Sequence, residues 1–535
     1  MKNFPGIIII RLLFILQLFS CSAHHKSDKK IFRYNDASGI ASLDPAFAKN
    51  QSVMWAVHQL FNTLLEVDQD MQIKPSIAER WEFSDDNLTI TFHLRKDVYF
   101  HDDPVFFKGE GRKISAYDVA YSFQRLIDKN TASPGAWIFN SRVDSVAPFI
   151  AINDSVFQLK LIHPFQPILG ILSMQYCSII PKEAVEKYGI EFRRHPVGSG
   201  PFMFVAWDEG QALILKKNPK YFEKGLPYLD GIKVSFFESK ATEFLEFSQQ
   251  RLDFINDIDA SFKDEILTKT GNLKKQWEGK LLLHKHPYLN IEYFGILSDT
   301  NNPLLSASPL KLKKIRQAIN YGIDRKKMML YLRNSIGTAA ESGFVPQGLP
   351  SFNAAEIKGY TYDPAKAKQL LTEAGYNTNM APLKLLTIPA YANLATYIAS
   401  ELKQVGINVQ VESIQKSLLL EQTSKSQALF FRGSWIADYP DAENYLSVFY
   451  SKNPAPPNYT RYKNPAFDLL YERSLQEVRD SSRYILYRQM DKMIIDDAVV
   501  VPLWYDMALH LVHTNVHDFY PNSLNMLELR RVRKE

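Results

Sequence analysis

Apolar residues recur along this chain at two spacings, every second position or every third to fourth, and the order of the changes predicts alternating strands and helices. Ile31-Phe32-Arg33-Tyr34 reads as a strand, and Val53, Val57, Leu60 and Phe61 fall at helical spacing within 52–63. Leu88, Ile90, Phe92 and Leu94 alternate with Thr89, Thr91, His93 and Arg95, which gives a strand one buried and one wet face. Val98-Tyr99-Phe100 is expected to continue that sheet. Ser115 followed by Asp118 fits a capping box opening a helix, because hydroxyl and carboxylate can take up free amide donors of the first turn; Val119, Phe123, Leu126 and Ile127 form its buried face. Phe157, Leu159 and Leu161 predict another strand. Val197-Gly198-Ser199-Gly200-Pro201 then punctuates the chain, and a lobe boundary is expected near it.

Beyond that point, Phe202 to Val205, Leu213-Ile214-Leu215 and Ile232 to Phe236 read as successive strands. Leu312, Ile315, Ala318 and Ile319 make a helix face, and Asp363-Pro364 starts a helix that ends before Gly375. Gly406 stops a helix over 394–405, after which Ile407, Val409 and Val411 alternate as a strand. Val499 to Trp504 reads as a further strand. Elements in this order build open, mixed sheets covered by helices, an α/β class. At 535 residues the chain exceeds what one core usually serves, so two or three lobes are expected.

The first twenty residues differ in kind. Lys2 gives a positive start, and 7–19 is an apolar run broken only by Arg11 and Gln17, too short to span a bilayer. This reads as a secretory signal peptide over 1–20, and Leu18-Phe19-Ser20-Cys21 is similar to the lipobox of bacterial lipoproteins. Cys21 would become the lipidated N-terminus, with 21–30 as a polar tether. Only Cys177 remains, so no intramolecular disulfide is expected; it reads as a small core residue. Apolar residues at 46% and charged residues at 23% are those of an ordinary globular protein. A formal charge of +5 argues neither for nor against nucleic acid, and the basic end Arg530-Arg531-Val532-Arg533-Lys534 reads as a solvated tail.

Several segments carry a resemblance. They include Ser42-Leu43-Asp44-Pro45, Ile77-Ala78-Glu79-Arg80-Trp81, Ser115-Ala116-Tyr117-Asp118-Val119-Ala120-Tyr121-Ser122-Phe123 and Gly198-Ser199-Gly200-Pro201-Phe202. Further on come Ile315-Arg316-Gln317-Ala318-Ile319-Asn320-Tyr321, Ala367 to Tyr376, and Trp435-Ile436-Ala437-Asp438-Tyr439-Pro440-Asp441. In this order and spacing, from about Ile31 to Arg530, the chain resembles the family-five extracytoplasmic solute-binding proteins of ABC importers, the group holding oligopeptide- and dipeptide-binding proteins. The resemblance implies a periplasmic-binding-protein-like fold of type II (cluster C), with two lobes joined by a hinge and three domains with mixed sheets. Domain I would take 31–64, 190–285 and 500–535, domain II 65–189, and domain III 286–499, with crossings near His286 and Val499 as the hinge.

The resemblance also implies a site. A short peptide is a zwitterion with a row of amide donors and acceptors, so a tolerant receptor grips its ends and backbone. Asp438 matches the carboxylate that pairs with the ligand's ammonium. Gly433, Ser434 and Trp435 from domain III, with Lys49, Asn50 and Gln51 from domain I, match the strands that sandwich the peptide. Trp435 would wall the ligand or sit in the core. Arg432 matches an arginine able to meet a ligand carboxylate, or closes a salt bridge within domain III. Gly135 stands where a relative can place a tyrosine, with Trp137 as a replacement, and Lys416 stands where an aromatic lines one pocket. Expected partners are a short peptide, the permease subunits and, through Cys21, the periplasmic or cell-surface side of a bacterial membrane, for a monomer with no nucleic-acid partner.

Other guests of such a fold are nickel complexes, haem, sugars or opines, and a ligand-sensing lipoprotein without transport uses the same binding physics. No Gly-x-Ser-x-Gly elbow, His-Glu-x-x-His or phosphate-cradling loop supports an enzyme, and no cofactor or metal is expected. His510, His513 and His517 read as independent histidines, because a continuing strand sends His510 and His513 to opposite faces; His284 and His286 share one face without an obvious third ligand.

Overall fold

The computed structural model describes residues 30–377 and 380–535. The expected signal peptide, Cys21 and all but the last residue of the tether lie outside the described residues.

β1 (Ile31–Asn35) leads into the helix Gln51–Leu60. A hairpin of β2 (Leu65–Val67) and β3 (Ile73–Pro75) follows. Next come β4 (Ala78–Phe83), β5 (Thr89–Leu94), β6 (Phe149–Asn153) and β7 (Val156–Lys160), an antiparallel sheet in the order β4-β5-β7-β6. The helix Ala116–Ile127 packs on it with its capping box formed, Ser115 N donating to Asp118 Oδ2 at 2.8 Å. Val98-Tyr99-Phe100 does not extend this sheet. Its backbone is taken by the returning segment instead, with Ile114 N on Val98 O and Phe100 N on Arg112 O, and only a bridge from Tyr99 to Lys113 results.

The remaining long strands are β8 (Phe202–Asp208), β9 (Ala212–Lys217), β10 (Gly231–Ser235), β11 (Phe254–Asn256), β12 (Leu281–Ile296), β13 (Thr338–Ala339), β14 (Leu383–Thr387), β15 (Val409–Ser413), β16 (Phe430–Ile436) and β17 (Val500–His513). With β1 they form one mixed sheet, ordered β15-β14-β16-β12-β17-β11-β1-β10-β9-β8, and β13 adds to β17. The antiparallel ribbon β12–β17 runs through its middle, and its register slips between Pro287 and Ile291 and again at Glu292. Pro287 has no N–H to donate, and the pairing breaks directly after it. Leu281 to Pro287 pairs with the half of β17 beside β11, whereas Ile291 to Gly295 pairs with the half beyond Val500 and, on its other edge, with β16.

One continuous core, from Phe32 to Val532, joins β1 and β8–β10 to the β4–β7 sheet. Two further cores lie on opposite faces of β12, because neighbouring strand residues point opposite ways: Phe294 packs with Ile319 and Trp504, Tyr293 with Phe344 and Tyr445. The basic end is not a solvated tail. Arg530 is buried between Glu66, Glu223 and Glu528; Val532 is fully buried; and β19 (Arg533–Lys534) pairs with β18 (Val516–His517). Among the described residues, no helix is long and apolar enough to cross a membrane.

Candidate functional site

A cavity of ≈580 Å³ is lined by residues of the helix Gln51–Leu60 and the loop before it, of the β2–β3 hairpin, of the 173–178 segment, of the end of β16 and of the C-terminal segment. Its geometry begins with the Ser42-Leu43-Asp44-Pro45 turn. Asp44 accepts the N–H of Ala46 at 3.0 Å and receives Arg125 in a two-toothed ion pair at 2.8 and 2.6 Å, while Ser133 Oγ donates to Ala46 O at 2.6 Å. The loop that follows is thereby tied to the helix Ala116–Ile127 and to the Ser133 turn. Asn50 Oδ1 caps the helix Gln51–Leu60 through Val53 N at 3.0 Å. Lys49, Asn50 and Gln51 all line the cavity. They form no strand, since Asn50 is a helix cap and Gln51 the first helical residue, so the expected domain I half of a two-strand clasp is a loop and helix start.

Asp438, just after β16, lines the same cavity. Its carboxylate is open to the cavity, yet protein crowds it on the other sides, and this desolvation raises its pKa above the usual aspartate range, opposed by a hydrogen bond from Asn444. Asn444 is buried and its Oδ1 accepts the indole N–H of Trp435 at 2.9 Å, which turns its amide N–H₂ group toward Asp438. Trp435 therefore orients the acid from behind; it is half-buried and does not line the cavity. Trp137 does, stacking on Tyr439 with centroids 6.4 Å apart. A Cβ at Gly135 would lie 2.5 Å from Tyr176 Cδ1, so the Tyr176 ring fills the space that a side chain at 135 would enter. Tyr176 also lines the cavity, and burial together with the charge of Asp438 pushes its phenol up to about 12.

Arg432 points elsewhere. It meets Glu292 at 2.6–3.0 Å, both side chains nearly buried, and lies over the Tyr391 ring at 4.1 Å; it does not line the cavity. Gly433 and Ser434 sit within β16, opposite Tyr293 and Glu292, and do not line it either. A Cβ at Gly433 would meet Tyr293 Cζ at 2.6 Å, so a side chain there would have to displace the buried Tyr293 ring. β16 pairs with β14 only at Phe431, so among the described residues its edge from Arg432 to Ile436 carries no strand partner. Lys416 is exposed at the start of the helix Lys416–Ser424 and lies outside the cavity wall.

Sequence patterns gave no signal for the floor. Glu66, His58, and the pair Glu528 and Arg530 come from three separate segments, with Arg530 to Glu66 at 2.8 Å and His58 to Glu528 at 3.3 Å. Burial acts to raise the Glu528 carboxyl, but Arg530 and His58 outweigh it and hold it at about 2. Among the described residues, no group of three or more His, Cys, Asp or Glu could hold a metal. His510 and His513 are separate core residues, on Asn256 Oδ1 at 3.1 Å and Phe247 O at 2.9 Å.

A profile of the bacterial extracellular solute-binding proteins, family 5 Middle, matches residues 72–457. Haem-binding protein A of Haemophilus influenzae is 27% identical over 504 residues, 90% of this chain and 88% of that protein. The periplasmic oligopeptide-binding protein OppA of Salmonella typhimurium is 26% identical over 509 residues, 91% of this chain and 89% of its own length. Among solved structures, the periplasmic binding protein DppA of Helicobacter pylori in complex with the peptide STSA superposes with a TM-score of 0.70 at 25% identity, covering 94% of this chain and 98% of that one.

Proposed function

This chain belongs to family 5 of the bacterial extracellular solute-binding proteins, the non-catalytic binding components of ABC importers, and from that premise we propose that its cargo is a short peptide held between the lobes. The fold is the mixed α/β type II periplasmic-binding-protein fold. The peptide's ammonium rests on Asp438, and its backbone lies along Ile436 and Ala437, where the unpaired edge of β16 reaches the cavity. Trp137 and Tyr176 wall a side-chain pocket.

The observation that carries this reading is Asp438: a carboxylate facing the cavity, without an ion pair among the described residues, whose ionised form the surrounding protein disfavours. A guest ammonium supplies the missing charge, and the acceptor-only carboxylate repels an anion in the same place. The peptide complex of the Helicobacter pylori relative and the peptide binding of the Salmonella relative support the choice of guest. Domain I over 31–64, 190–285 and 500–535 and domain II over 65–189 move as one lobe against domain III over 286–499. The register break beside Pro287 supports a hinge there. Cys21 carries the lipid that holds the protein outside the cytoplasmic membrane, and permease subunits receive the cargo.

Native mass spectrometry of protein purified without denaturation tests the reading: a bound peptide mass is expected, and haem, a sugar or a metal complex bound in its place would overturn it. For the anchor, Cys21→Ser should abolish palmitate labelling and release the protein from membranes; unchanged labelling would refute lipidation at that residue.

A further inference from the structure

Resting on the reading that a guest sets its ammonium on Asp438, we propose that Lys49 is the subsite for the guest's negative end, so that the receptor selects ligands ending in a free carboxylate. Among the described residues four Lys or Arg side chains line the cavity, and three are already matched. Lys74 lies 3.3 Å from Asp68. Arg530 lies 2.8 Å from Glu66 and 2.7 Å from Glu223, and Arg531 lies 2.6 Å from Glu223. Lys49 is exposed in the cavity wall and its ammonium has no hydrogen bond or ion pair among the described residues. Arg432, the cation that the family resemblance offered for this role, is neutralised by Glu292 outside the cavity wall.

The backbone under Lys49 is held firmly. Its N–H donates to Phe47 O at 2.8 Å, Asn50 beside it caps the helix Gln51–Leu60, and Asp44 and Ser133 pin the preceding turn. A flexible four-carbon stem on a fixed root lets one ammonium follow carboxylates at several distances, which suits ligands of more than one length. The positive end of the ten-residue helix directly after it adds to the same potential. Of the cavity carboxylates without an ion pair among the described residues, Asp70 sits on the exposed turn between β2 and β3, and Asp438 lies beside Trp137 and Tyr176. One unmatched cation and one unmatched inner carboxylate are the charge complement of a zwitterion.

The test uses the full chain and a mixed tripeptide library, offered as free acids and as the same peptides C-terminally amidated, with binding read by titration and by competition in native mass spectrometry. Wild type should prefer the free acids by about tenfold or more, the scale of one charge-assisted hydrogen bond. Lys49→Gln should bind both forms alike, and Lys49→Arg should restore the preference. Equal binding of both forms by wild type, or a preference that survives in Lys49→Gln, overturns the carboxylate subsite alone. Failure of wild type to bind either form, or binding indifferent to Asp438→Asn, overturns the peptide reading and this subsite with it.

Discussion

Replacing Asp438 by Asn removes one negative charge with almost no change of volume, and leaves Asn444 and the Trp435 indole behind it in place. With the ligand ammonium about 3 Å away and an effective dielectric of about 20, the Coulomb attraction lost is about 5 kcal/mol. Desolvation of both ions offsets part of this, leaving about 2–4 kcal/mol, a loss of roughly 30- to 1000-fold in affinity. Titration calorimetry with a peptide that binds wild type measures the change, and a denaturant melt confirms that the variant is folded. The raised pKa of Asp438 adds a second signature. A bound ammonium favours the ionised acid, so binding expels the protons that the free site retains; affinity is full above the raised titration range and falls as pH drops through it. Proton release is read by repeating the titration in buffers of different ionisation enthalpy. An unchanged affinity in Asp438→Asn, with no proton release in wild type, would refute the role assigned to this residue.

Three further outcomes are expected. Arg432→Met strands Glu292 without its cation in a buried place and should cost about 3–5 kcal/mol in a urea melt, while leaving the affinity of the folded protein unchanged; weaker binding at unchanged stability would contradict the structural role. Asp491 is fully enclosed, accepts from Phe344 N and Val345 N, and has its pKa raised by burial to about 7 against 3.8 for an ordinary aspartate. The folded state therefore holds a proton that the unfolded chain gives up, and stability should fall as pH rises between those two values, by up to about 4 kcal/mol; a wild-type minus Asp491→Asn stability difference that stays flat over this range would exclude it. Gly135→Ala pushes a methyl into the Tyr176 ring and should lower stability by about 1–3 kcal/mol and weaken ligand binding together; thermal melts and titrations unchanged from wild type would show that the ring moves freely.

Local pattern was enough for most elements, because strand and helix periodicity are written in neighbouring residues: the alternation of Leu88 to Leu94 became β5, and Ser115 with Asp118 opened its helix as a capping box. Val98 to Phe100 misled because its alternation says nothing about which backbone it will pair with, and the partner was the returning segment at Arg112. The Asp438 segment was legible only through its family resemblance, since an acid beside Tyr439 and Pro440 has no chemical pattern of its own. Charge partnerships lay beyond reach. Arg530 looked like part of a free basic end and is locked onto Glu66, 464 positions away, while Arg432 stood open between a ligand carboxylate and an internal salt bridge and is held by Glu292, 140 positions away. Periodicity, caps and punctuation determined the elements and their order, because these depend on residues within a few positions of one another. Which cation stays free for a guest was decided only when distant segments met, because an ion pair depends on separation in space, and the chain closes that distance by folding.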